Sequence, residues 1–191
     1  MRVGIALGSN LGDRLANLRA ARKAIDSLAS PLTNPRGSAH LRRSAPAGSV
    51  VDLAAAKSAV LVSSVHETEP VDCEPGAGKF LNAVLEIEYD GDPSDLLREL
   101  IRIEESLGRD RKHAKNVSRK IDLDLLYADD LNVENERLQL PHPRMHLRKF
   151  VLQPLADIRP DLILPNQTKT VGELLAQIKD PTKVICFAEK W

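Results

Sequence analysis

The chain has 191 residues, 42% of them hydrophobic and 28% charged, which suits a single domain with a packed core. Basic and acidic residues balance at 27 each, so any basic patch is local, which argues against general nucleic-acid binding. Its two cysteines, Cys73 and Cys186, show no metal or disulfide spacing, and no apolar run approaches a membrane span, so a cytoplasmic monomer with no membrane partner is expected.

In chain order, residues 2–7 read as a short buried strand. "GSNLGDR" follows as a turn in which Ser9, Asn10 and Asp13 are possible helix caps. Leu15, Leu18, Ala21, Ile25 and Leu28 then recur at helical spacing. From Pro31 to about Gly48 the sequence is rich in Pro, Gly and Ser without a period, which predicts a loop or insertion. "VLVSSVHETEPV" reads as one strand ending at Pro70, and "DCEPGAGK" as a loop. In "FLNAVLEIEYD", Leu81, Ala83, Leu85 and Ile87 alternate with Asn82, Val84, Glu86 and Glu88, predicting a strand with one wetter face. "DPSDLLRELIRIEESLG" is the clearest helix. Asp92 or Ser94 can cap it, Leu96, Leu97, Leu100, Ile103 and Leu107 form its stripe, and Gly108 ends it. A basic loop, the strand "IDLDLLYA", a Pro-punctuated turn entering a helix and the short helix "VGELLAQIKD" complete the pattern. Strands and helices are interspersed without a repeat, so residues 1–191 are expected to form one α+β domain, helices packed on a mixed or antiparallel sheet.

The chemistry concentrates around residues 109–124. Residues two apart on a strand share a face, so Asp122 and Asp124 project together, with Cα atoms roughly 6.5–7 Å apart, while Ile121, Leu123 and Leu125 point to the core. Taken alone, such a pair describes a solvated strand edge. Beside it, however, lie Arg109, Arg111, Lys112, Lys115 and Arg119 against one acid, Asp110. Paired carboxylates can hold Mg²⁺ that also binds substrate phosphates, and arginine forks suit the remaining phosphate oxygens. Two such ions can clamp both oxygens of a phosphoryl displacement. A further cluster holds Arg137, His142, Arg148 and Phe150. Flanked by arginines, His142 suits a role on a polyphosphate. No P-loop and no dinucleotide glycine pattern is present, so ATP, if used, is held by another design.

Together these residues resemble the 6-hydroxymethyl-7,8-dihydropterin pyrophosphokinase family of folate synthesis. The matching pieces, in the family's order, are Gly8-Ser9-Asn10-Leu11, "ETEP" ending at Pro70, "FLNAV" at 80–84, "RIE" at 102–104, Gly108-Arg109, "R-x-IDLD" at 119–124, Pro141-His142 and "LRKFVLQPL" at 147–155. The resemblance implies a ferredoxin-like α/β sandwich and transfer of pyrophosphate from ATP to the pterin, giving AMP. It implies two Mg²⁺ ions on Asp122 and Asp124, catalytic roles for Arg109 and Arg119, and nucleotide or phosphate contacts from Arg111, Lys115, Arg137, His142 and Arg148. Asn82 would hydrogen-bond the pterin, Phe80 and Phe150 would stack on it, and backbone near Thr68 and Val71 would complete the pocket. An alternative is a diverged nucleotide-binding homologue with weak catalysis, or one acting on another heterocyclic alcohol. Departures lie in "KNVSRK", where Asn116, Val117 and Ser118 stand in place of an aromatic, glycine and proline common in the family, and in Gln139 and Pro143. Residues 31–60 have no counterpart in the pattern and are expected to be a family-atypical insertion.

Overall fold

The computed structural model describes residues 1–29, 60–71, 73–109 and 118–191. The expected insertion at 31–60, apart from Val60, lies outside the described residues, as do Arg111 and Lys115. The elements are β1 (Arg2–Ser9), α1 (Arg14–Asp26), β2 (Leu61–Val62), β3 (Val65–Thr68), β4 (Phe80–Glu88), α2 (Pro93–Ser106), β5 (Asp122–Ala128), β6 (Val133–Glu134), β7 (Gln139–Leu140), a 3₁₀ turn (Met145–Leu147), α3 (Lys149–Ile158), α4 (Val171–Gln177) and β8 (Val184–Ala188). The main sheet runs β5-β1-β4-β3-β8, with β2 also on β4, and β6 and β7 pair separately. Every described ladder is antiparallel.

Alternation along β1 and β4 divides the core. Val3, Ile5 and Leu7 with Leu81, Leu85 and Ile87 face α1 and α2, where Leu18, Ile25, Leu96 and Leu100 complete an apolar layer. On the opposite face, Val84, Leu126 and Tyr127 pack with Val151, Leu152 and Leu155 of α3 and Val171 of α4. The helices begin where their caps dictate: Asp13 accepts from the Ala16 N–H and Asp92 from the Ser94 N–H, contacts of about 1 kcal/mol each. Gly108, at φ 93°, ends α2 in a conformation that favours glycine.

Two local expectations are revised. The run expected as one strand at 60–71 is broken into β2 and β3 at Ser63. There the backbone N–H donates to the Val84 carbonyl at 3.0 Å, and the hydroxyl accepts the Val84 N–H at 2.8 Å. The wetter face of β4 is not wet: Glu86 is 4% exposed, because α3 covers that side and Arg159 meets its charge.

Candidate active site

The floor of the site follows from strand register. Gly8 in the interior strand β1 pairs with Asp122 of β5 on one side and Asn82 of β4 on the other, and Asn82 pairs in turn with His66 of β3. One step along, Ala6 pairs with Asp124 and Val84. The small side chains of Gly8 and Ala6 leave room above the sheet. A Cβ on Gly8 would lie 3.4 Å from the Asn82 Oδ1 and 3.8 Å from Phe80. Over this floor opens a cleft of about 1090 Å³, lined on one side by Arg109, Arg119, Asp122 and Asp124, and on the other by Phe80, Asn82 and Phe150.

Asp122 is engaged by two guanidinium groups, from Arg109 at 2.8 Å and Arg119 at 2.9 Å. Arg109 also pairs with Glu104, whose carboxylate accepts the Leu123 N–H at 2.7 Å. Burial, and then the charge of Asp122, push the Asp124 carboxyl up to about 6, while Arg148, Arg109 and Arg119 oppose the rise. The pair therefore has room for more positive charge. Among the described residues no third His, Cys, Asp or Glu completes a metal cluster. A donor set of two carboxylates fits Mg²⁺, which takes its remaining oxygens from water and substrate phosphates.

The segment carrying Arg119 is fixed by Asn10. The Asn10 Oδ1 accepts the Arg119 N–H at 2.7 Å, and its Nδ2 donates to Ser118 at 3.2 Å. Asn10 thus clamps the far loop, and Asp13 alone serves as the side-chain cap of α1. His142 is anchored beside β5 by its N–H to the Leu126 carbonyl at 2.7 Å. Its Nδ1 accepts the Arg144 N–H, which leaves the proton of the neutral ring on Nε2. Burial, with Arg148 and Arg144 nearby, holds His142 below the ordinary imidazole range. On the other side, Asn82 donates to the Thr68 Oγ1 at 2.9 Å, so Thr68 orients the amide from below. The Arg148 guanidinium stacks 5.4 Å from the Phe150 ring centre.

Of the residues singled out from sequence, Thr68, Val71, Phe80, Asn82, Arg109, Arg119, Asp122, Asp124, His142, Arg148 and Phe150 line this one cleft. Arg137 does not line it: it sits in the β6–β7 hairpin, where its N–H is held by the Asn135 side chain. Sequence reasoning passed over Arg144, Gly8 and Glu104, which also line the cleft. Alternate small residues in β1 were the signal for Gly8. A glutamate in the stripe of α2, at 96, 100 and 104, was the signal for Glu104.

A sheet with helices on both faces and an acid–arginine cleft at one end defines the class of fold and site; the comparisons with known proteins place the chain within it. The model of the family described as 7,8-dihydro-6-hydroxymethylpterin-pyrophosphokinase matches residues 36–160. A Haemophilus influenzae protein named 2-amino-4-hydroxy-6-hydroxymethyldihydropteridine pyrophosphokinase is 36% identical over 176 residues, covering 92% of each chain. A Bacillus subtilis protein of the same name is 38% identical over 154 residues, covering 81% of this chain and 75% of that one. Among solved structures, wild-type Plasmodium falciparum HPPK-DHPS superposes with a TM-score of 0.59 at 14% identity. That match covers 92% of this chain and 44% of the Plasmodium chain, so this chain spans less than half of that longer protein. The chain belongs to the 6-hydroxymethyl-7,8-dihydropterin pyrophosphokinase family, with its α+β ferredoxin-like fold.

Proposed function

We propose that this chain transfers the β,γ-pyrophosphoryl group of ATP to the hydroxymethyl of 6-hydroxymethyl-7,8-dihydropterin. The hydroxyl oxygen bonds to the β-phosphorus, the bridge to the α-phosphate breaks, AMP leaves and the hydroxyl proton is released. The observation that carries this reading is the sharing of one cleft: Asp122, Asp124 and the arginines on one side, and Phe80, Asn82 and Phe150 on the other.

Asp122 and Asp124 are the residues that would hold two Mg²⁺ ions. Bound there, the ions would neutralise phosphate charge and align the reacting oxygens. Arg109 and Arg119 exchange their contacts on Asp122 for phosphate oxygens, to which planar forks are well suited. Arg148, whose charge bears on Asp124, takes further phosphate oxygens. His142, neutral and with its proton on Nε2, donates to a phosphate oxygen without adding charge. Arg111, Lys115 and Arg137 join the nucleotide side of this proposal on their sequence pattern alone. Asn82, held by Thr68, presents its amide to the pterin edge, Phe80 and Phe150 take the ring faces, and backbone near Val71 closes the pocket. Positioning and charge stabilisation supply nearly all the catalysis in such transfers, so the paired charges of the cleft suffice without a covalent nucleophile.

The test is AMP release from ATP, with and without the pterin and Mg²⁺. Release that needs both is the expected result. ADP in place of AMP, or release independent of the pterin, would refute the assignment. ATP binding with no AMP would point to a nucleotide-binding homologue or a different heterocyclic alcohol. Among the described residues no helix is long and apolar enough to cross a membrane.

A further inference from the structure

We propose that Glu104 is a positioning residue for the transfer: one buried carboxylate fixes both Arg109 and the strand segment that carries Asp122 and Asp124. The inference rests on the activity proposed above.

Glu104 lies in the last turn of α2 with 3% of its surface exposed, in line with the buried leucines at 96 and 100. Packing alone calls for another leucine there, since a carboxylate at that depth is costly unless it is paired and hydrogen-bonded. Glu104 is both. β5 is the edge strand of its sheet, with β1 on one side only. The Leu123 N–H points away from β1, and the Glu104 Oε1 accepts it at 2.7 Å. Leu123 is the residue between Asp122 and Asp124, so this bond anchors the peptide from which both aspartates project.

The same oxygen accepts from the Arg109 guanidinium. Arg109 is tied to Glu104 a second time, because its N–H donates to the Glu104 carbonyl at 3.0 Å across the turn at Gly108. Arg109 then reaches forward to the Asp122 Oδ1 at 2.8 Å. The guanidinium is thus held from behind by a carboxylate outside the metal pair and from the front by one inside it. A ligand that draws Asp122 away leaves the rear contact standing, and Arg109 stays aimed at the phosphates. Without the rear contact, Arg109 follows whichever carboxylate or phosphate is nearest. Glu104 touches no substrate in this scheme and acts through Arg109.

The experiment is a double-mutant cycle on the full chain, with Glu104→Gln, Arg109→Ala and the combination, read as kcat and as KM for ATP and pterin. The glutamine oxygen can still accept the Leu123 N–H but no longer attracts the guanidinium. Glu104→Gln is expected to lower kcat by on the order of 10–100-fold. KM for the pterin should stay within about two-fold, and in the Arg109→Ala background the same change should have almost no further effect. Unchanged kcat in Glu104→Gln, or losses that multiply in the double variant, would overturn the role. Circular dichroism checks the fold of each variant. If Glu104→Gln does not fold, Glu104→Asp, which keeps the charge but falls one methylene short of Arg109, runs the same cycle. A wild type that releases no AMP refutes the activity itself; an active wild type with an indifferent Glu104→Gln refutes only Glu104.

Discussion

Two carboxylate–arginine groups occupy the same face of the same sheet and differ in one respect: whether the protein itself completes them. At one end, Glu86 accepts Arg159 through both oxygens, at 2.9 and 3.1 Å from Nε, and the Tyr127 hydroxyl at 2.7 Å. One negative charge meets one positive charge under α3, and burial followed by the charge of Glu86 pushes the Tyr127 hydroxyl well up. At the other end, Asp122 and Asp124 face a cleft. There Arg109 and Arg119 pair with Asp122, Arg109 pairs with Glu104 as well, and the Asp124 carboxyl is pushed up to about 6. The same residue types make a strut where the charges close on one another and a binding site where they are left in surplus beside open space.

The largest effect should come from breaking the open end. Asp122→Ala or Asp124→Ala should cut AMP release by at least ~10³-fold, about 4 kcal/mol of transition-state stabilisation, with the fold retained. Near-normal turnover in either variant would remove the site from the comparison. The closed end should answer in the opposite currency. Glu86→Ala leaves Arg159 and Tyr127 without their partner and should lower unfolding stability by about 3–5 kcal/mol. Both KM values should be unaltered at temperatures where it is folded. Lost turnover with an intact melting transition would show that the two ends are coupled.

A smaller effect sharpens the contrast through pH. Because the carboxyl of Asp124 is raised from 3.8 to about 6, the folded chain binds that proton more tightly than the unfolded chain does. Its contribution is most favourable below the unfolded value and is lost as pH rises through about 6. Asp124→Asn should therefore raise stability near neutral pH by about 1–3 kcal/mol and leave it unchanged near pH 4, as urea titrations at the two pH values would report. Equal effects at both would contradict the buried-charge account. The smallest effect is Phe150→Ala, expected to weaken pterin binding by about 1–2 kcal/mol and ATP binding less, measurable by calorimetry.

Much of this arrangement was legible in the sequence. The alternation of Ile121, Leu123 and Leu125 against Asp122 and Asp124 set the faces of β5 correctly, and the stripes of α1 and α2 and the Asp92 cap were plain. What escaped depended on partners distant in the chain. Glu86 reads as a wet-face residue until Arg159, 73 positions away, is folded over it. Asn10 reads as a cap until the backbone of Arg119 arrives to use it. Tyr127 falls on the same side as Leu126 because the ladder shifts register between Gly4 and Ile5, and only a glycine at position 4 leaves space for the ring. Such bulges carry no periodic signal. Arg137 is near His142 in sequence but sits in the β6–β7 hairpin and does not line the cleft, a separation that proximity along the chain does not reveal.

The single tryptophan has a practical consequence. Trp191 sits under the Arg22 guanidinium, 5.3 Å from its ring centre, and its Nε1 donates to the Ser63 carbonyl at 2.8 Å. Neither it nor either tyrosine lines the cleft. Intrinsic fluorescence therefore reports the docking of the C-terminal residues onto α1 and the β2–β3 junction rather than occupancy of the site. A fluorescent heterocycle entering between the two phenylalanines would be seen against a background that binding leaves unchanged, so a single cuvette could follow unfolding and ligand capture as separate optical signals.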